Sequence, residues 1–127
     1  MEKEFVPYQE ALALKELGFD EPCVAFYEEF KRLSIGFNWL NEGGKNSNLQ
    51  ECTAPLYQQA FRWFRDKYGL SGWVDEGYST DGRRGVVSVK SENGLKYLKQ
   101  QKTTQFFNTY EEAELACLKK LIDLTKD

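Results

Sequence analysis

Few residues in this sequence are placed to carry chemistry. The three cysteines, Cys23, Cys52 and Cys117, show no C-x-x-C spacing, and their odd number suits reduced thiols better than a disulfide framework. Cys52 stands just ahead of an expected helix N-terminus, which favours a thiolate, but the chain has no histidine to serve as its base. The lack of histidine also removes Ser-His-Asp and Cys-His catalysis, and nearly all familiar zinc sites. Carboxylates remain. Asp75 and Glu76 are neighbours in a strand pattern and fall on opposite faces, as do Glu28 and Glu29. Glu111, Glu112 and Glu114 read as helix N-terminal charges, and neither Gly43-Gly44 nor Gly82 to Gly85 fits a phosphate loop. No catalytic residue, metal site or cofactor is assigned on these grounds, and a carboxylate-based enzyme is the distant alternative.

Recognition is the chemistry better supplied. Between Leu56 and Tyr68, a period near 3.6 gathers Leu56, Tyr57, Ala60, Phe61, Trp63, Phe64 and Tyr68 on one arc. Its centre reads as core, while Tyr57 and Trp63, nearer its edges, are the expected partner-binding aromatics. A basic stretch supplies Arg83, Arg84, Lys90, Lys96 and Lys99, with Lys102, Tyr78 and Tyr97 interleaved. Such residues can neutralise phosphates and stack on unpaired bases. Alternation along Lys96–Lys99 divides the charges between two faces, so edge strands protected by lysine are the plainer reading.

Three helices must position these groups. The first runs from about Pro7 to Leu17, stopped by Gly18. The second runs from about Ala54 to Tyr68, with Thr53 as expected cap, Pro55 in the first turn and Gly69 at the end. The third runs from about Tyr110 to Leu124, where Thr109 and Glu112 have capping-box spacing. All three open alike, as Tyr8-x-x-Ala11, Tyr57-x-x-Ala60 and Tyr110-x-x-Ala113, a solution for seating a helix on a sheet. A duplicated αββ unit is the sharper reading of that repeat.

Elsewhere the period is two. Cys23–Tyr27 and Leu33–Trp39 read as a hairpin around Glu28 to Arg32, with Leu33, Ile35, Phe37 and Trp39 on one face. Trp73–Tyr78 and Arg84–Lys90 flank a turn at Ser79–Gly82, and Leu95–Lys99 is a further strand. Asn41–Glu51 reads as a polar loop and the most mobile segment. The order αββαββ(β)α predicts an α+β fold: an antiparallel sheet of four to five strands carrying three helices.

At 127 residues the chain suits a single domain, 1–127, and 15% aromatic content supplies core side chains that a disordered chain lacks. The charged start Met1-Glu2-Lys3-Glu4, with no apolar run behind it, argues against a signal peptide or membrane span, so a cytoplasmic protein is expected. The net charge of −3 is uneven, with acidic flanks around a basic middle.

Three blocks carry a resemblance: Glu4–Cys23, Ala54–Leu70 and Asn108–Ile122. Together they resemble a family of small uncharacterised proteins of gut-dwelling anaerobic bacteria and their phages. The resemblance covers just under half the chain and implies no activity and no catalytic residues. It implies a cytoplasmic protein of a bacterial or phage-infected cell. The expectation that follows is a non-enzymatic protein-binding or accessory module, acting on a host or phage protein and open to homodimerisation. Nucleic-acid binding through the basic hairpins is the alternative.

Overall fold

A computed structural model describes residues 2–36, 39, 43–48, 51–78, 84–91, 100–102, 107 and 109–125. The chain divides into two compact units, Met1–Leu56 and Tyr57–Asp127. Both mix helix with antiparallel strand, in keeping with the α+β class expected from the sequence.

In the first unit, α1 spans Tyr8–Glu16 and is followed by β1 (Ala25–Glu28), β2 (Arg32–Ile35) and β3 (Cys52–Thr53). Gly18 ends α1 as expected. With φ at 99° it adopts a conformation costly to any residue with a Cβ. Its N–H donates to the Lys15 carbonyl at 3.0 Å, and the Phe19 N–H to the Leu14 carbonyl at 2.9 Å. These two bonds form a Schellman cap, and Leu14 and Phe19, both buried, supply its apolar contact. The strands are ordered β2-β1-β3 and all pair antiparallel. Ala25 and Tyr27 occupy the core face of β1 with Val6, Leu14 and Cys52 among the buried side chains.

In the second unit, α2 (Tyr57–Tyr68) leads into β4 (Leu70–Tyr78), β5 (Arg84–Ser91), β6 (Gln100–Lys102) and α3 (Tyr110–Thr125). Gly69, at φ 66°, ends α2 by donating its N–H to the Arg65 carbonyl. Thr109 Oγ1 accepts the Glu112 N–H at 3.1 Å, the expected cap of α3. The strands are ordered β4-β5-β6, and α2 and α3 both pack on the sheet and on each other. Phe61, Phe64, Leu70, Cys117, Leu118 and Leu121 are buried here.

The strands thus form two three-stranded ladders among the described residues, where the sequence led us to expect a single sheet of four to five. The extra strand of the first unit, β3, is two residues long, too short to display a period. Thr53 lies in it, opposite Phe26, so it is not the cap of α2. Pro55 likewise precedes that helix, which starts at Tyr57. The strand expected at 95–99 and the turn at 79–82 lie outside the described residues, and β6 begins at Gln100. Each unit opens helix-strand-strand-strand, yet only the second closes on a further helix, and the central strand is the first of three in one and the second in the other. A faithful duplication would keep that order. The Tyr-x-x-Ala openings are real all the same: each helix starts at its Tyr, and Ala11, Ala60 and Ala113 are all buried.

Candidate functional site

The aromatic residues expected to bind a partner are core residues. Tyr57 is 4% exposed and Trp63 7%. Trp63 packs edge-on against Phe64 and Tyr68, and the Lys67 ammonium lies 5.0 Å from its ring centre. That cation covers the outer side of the indole with its stem and charge. A helix arc 100° or more wide sinks its edges as well as its centre when a sheet and a second helix both pack on it.

Of the basic residues, Arg84 and Lys90 lie in β5, while Arg83, Lys96 and Lys99 fall outside the described residues. Lys90 stands opposite Ser71 on one side and Gln100 on the other, and Ser88 opposite Trp73 and Lys102.

The cysteines are set for packing, not attack. All three are free and buried. Burial pushes the Cys52 thiol up to about 11, with Lys15 opposing and Glu51 adding to the shift. It pushes Cys117 up to about 12, with Glu114 nearby adding to it. The sequence expectation of a favoured thiolate at Cys52 is therefore reversed, because desolvation outweighs any helix end. Among the described residues, no group of three or more His, Cys, Asp or Glu side chains could hold a metal ion. No helix among them is long and apolar enough to cross a membrane.

The raised thiols make a pH prediction. The neutral form is favoured in the folded chain, so the stabilisation is complete below about pH 9, where an unfolded thiol starts to ionise. It is lost as pH climbs toward 11 and 12. Each thiol contributes a slope of at most about 1.4 kcal/mol per pH unit in that window. Urea titrations from pH 8 to about 11 should show falling stability, with a shallower fall in a Cys52→Ala/Cys117→Ala variant.

The surface that the structure does offer is the tip of the β1–β2 hairpin. Phe30 is 96% exposed, well beyond any other large apolar side chain described. Its backbone is left-handed, at φ 60° and ψ 25°, and Lys31 follows at φ 61°. A bulky residue rarely enters that region, because its Cβ crowds the following carbonyl at a cost of roughly 1–2 kcal/mol.

The support beneath the tip is firm. Glu28 and Arg32 face each other across the base of the turn and form an ion pair of 2.9 Å. Hydrogen bonds from Ser34 and Arg32 hold the Glu28 carboxyl below its ordinary value. The Lys31 ammonium sits 5.4 Å from the centre of the Tyr8 ring, which packs edge-on against Tyr27. Tyr27 donates its hydroxyl to the Val6 carbonyl at 2.7 Å, and Tyr8 donates to Glu51 at 3.1 Å. That bond to a carboxylate is the main reason the Tyr8 hydroxyl is raised above its usual value. Phe30 stands on a braced turn, flanked by an open recess that Glu28, Glu29 and Arg32 share with it.

Sequence reading placed the turn here but missed Phe30. The usable signal was an absence: Glu28-Glu-Phe-Lys-Arg32 contains no Gly, Asn, Asp or Pro, the residues that make left-handed turn positions cheap.

Comparison with family models, with curated proteins and with solved structures found no match.

Proposed function

We propose that this chain is a non-enzymatic binding module whose contact element is the β1–β2 hairpin, with Phe30 as its anchor. One observation carries the reading: an aromatic side chain 96% exposed on a left-handed backbone. Phe30 contributes no buried surface to its own fold, and its conformation works against folding. Strain of this kind gathers at functional positions, where something other than stability retains the residue. Aromatic residues, Phe among them, are also enriched at the centres of protein interfaces. The partner's chemistry is then a protein surface with an apolar socket. The resemblance of the three sequence blocks supports a bacterial or phage accessory protein acting on a host or phage partner.

The test is a photoreactive phenylalanine analogue placed at position 30 and, as a control, at the exposed position 16 of α1. A defined protein adduct formed from position 30 alone is the expected result. The same adducts from both positions, or none, would remove the hairpin from the account.

One observation favours nucleic-acid binding as a second reading. In the β4-β5-β6 ladder Lys90 stands between Ser71 and Gln100, and Ser88 between Trp73 and Lys102. Arg84, Lys90 and Lys102 all lie in the strands of this ladder, and basic strands with an aromatic neighbour suit single-stranded nucleic acid. Fluorescence anisotropy with a labelled single-stranded oligonucleotide should then show affinity falling steeply with salt. An unchanged signal even at low salt excludes it.

A further inference from the structure

We propose that the free edge of β2 pairs antiparallel with β2 of a second copy of this chain, forming a two-fold dimer with a continuous sheet. This goes beyond the hairpin-tip reading and stands or falls on different measurements.

Among the described residues β2 is an edge strand, paired only with β1. The phase of that pairing is fixed by the Gly36 N–H, which donates to the Val24 carbonyl at 3.0 Å. Alternation then makes Phe26↔Ser34 and Glu28↔Arg32 the hydrogen-bonded pairs, and Ala25↔Ile35 and Tyr27↔Leu33 the non-bonded ones. The Ala54 N–H, donating to the Ala25 carbonyl from the β3 side, agrees with this phase. Leu33 and Ile35 therefore direct their backbone N–H and C=O away from β1, to the free edge. Their side chains lie on the face that carries buried Ala25 and Tyr27, where Leu33 is half-buried and Ile35 is 46% exposed. The core face continues to the edge without a charge to block it, and no Pro or bulge interrupts the strand.

The self-complementarity of this edge selects a second copy as its occupant. With Ser34 on the two-fold axis, Leu33 of each strand stands opposite Ile35 of the other, and those are the residues whose backbone groups point outward. Two apolar cross-strand pairs form on one face, of the kind that stabilises sheets. Arg32 meets Gly36, not another Arg32, so no like charges oppose. Nothing lies within 4 Å of where a Gly36 Cβ would stand, which leaves the Arg32 side chain room. Ser34 meets Ser34 as a non-bonded pair, the closer of the two spacings. The two Phe30 tips end at opposite ends of the joined strands, giving a bivalent module.

The experiment uses purified full-length protein at low to high micromolar concentration, measured by sedimentation equilibrium. The expected mass moves from monomer to dimer with concentration. Ile35→Lys acts at both symmetric pairs and should raise the dissociation constant by about tenfold. Ser34→Cys should oxidise to a covalent dimer, whereas Glu29→Cys at the tip should not. The native thiols are buried and give no competing signal. A monomer at every concentration overturns the proposal, and so does a dimer that ignores Ile35→Lys while Ser34→Cys links no faster than Glu29→Cys. Neither result bears on Phe30 and its partner.

Discussion

Asn46→Ala should destabilise the protein by about 3 kcal/mol, the largest single effect we expect from a polar residue. Asn46 is 4% exposed and joins three segments of the first unit. Its Nδ2 donates to the Phe19 carbonyl at 2.7 Å, and its Oδ1 accepts the Thr53 N–H at 2.8 Å. The chemistry fixes the amide's orientation, since a carbonyl must meet the NH₂ and an N–H must meet the oxygen. Alanine removes the bond that the buried Thr53 N–H makes and one of those made to the buried Phe19 carbonyl, at roughly 1–3 kcal/mol each. Asn46→Asp keeps the acceptor but turns the second oxygen, now charged, toward the Phe19 carbonyl. It should be worse than alanine at neutral pH and recover as the carboxyl protonates. Urea denaturation checks both, and a loss below about 0.5 kcal/mol would show that the two contacts carry little.

The second large effect is steric. Gly72→Val should cost about 3 kcal/mol or prevent folding of the second unit. A Cβ at Gly72 would lie 2.8 Å from Cys117 Sγ and 2.8 Å from Leu121 Cδ1, both on α3. The backbone there is ordinary strand opposite Val89, so the need is for space alone. Gly72→Ala is the milder probe. Combined with Cys117→Ala, which removes one of the two obstructing atoms, it should lose less than the sum of the single variants by about 1 kcal/mol. Strict additivity would mean that the sheet and α3 are not in the close contact described.

Legibility followed the range of the interaction. Gly18 and Gly69 were readable as helix stops because a left-handed C′ residue is a local demand, and both have positive φ. The Tyr-x-x-Ala openings were readable for the same reason. Thr53 was misread as a cap because its role depends on Phe26 and Asn46, which are distant in sequence. Asn46 itself sits in a Gly- and Asn-rich stretch that reads as mobile loop, yet Gly44 accepts the Cys23 N–H and Asp20 accepts the Ser47 N–H. Composition cannot tell a polar side chain that clamps backbone from one that faces water. The division of the strands into two ladders is likewise a matter of long-range pairing. The candidate site was the least legible part. Amphipathic periodicity pointed to Tyr57 and Trp63, and periodicity reports burial, so it selects against the exposed aromatic that the hairpin presents.

The central claim, that Phe30 is kept for contact and not for the fold, is tested most directly by the thermal stability of Phe30→Gly. Glycine takes the left-handed conformation freely and removes a side chain that buries nothing. The account predicts a gain of about 1 kcal/mol, or several degrees in Tm for a chain of this length. A loss of about 2 kcal/mol or more, of the size expected for truncating a core aromatic, would contradict it and return Phe30 to the structural residues.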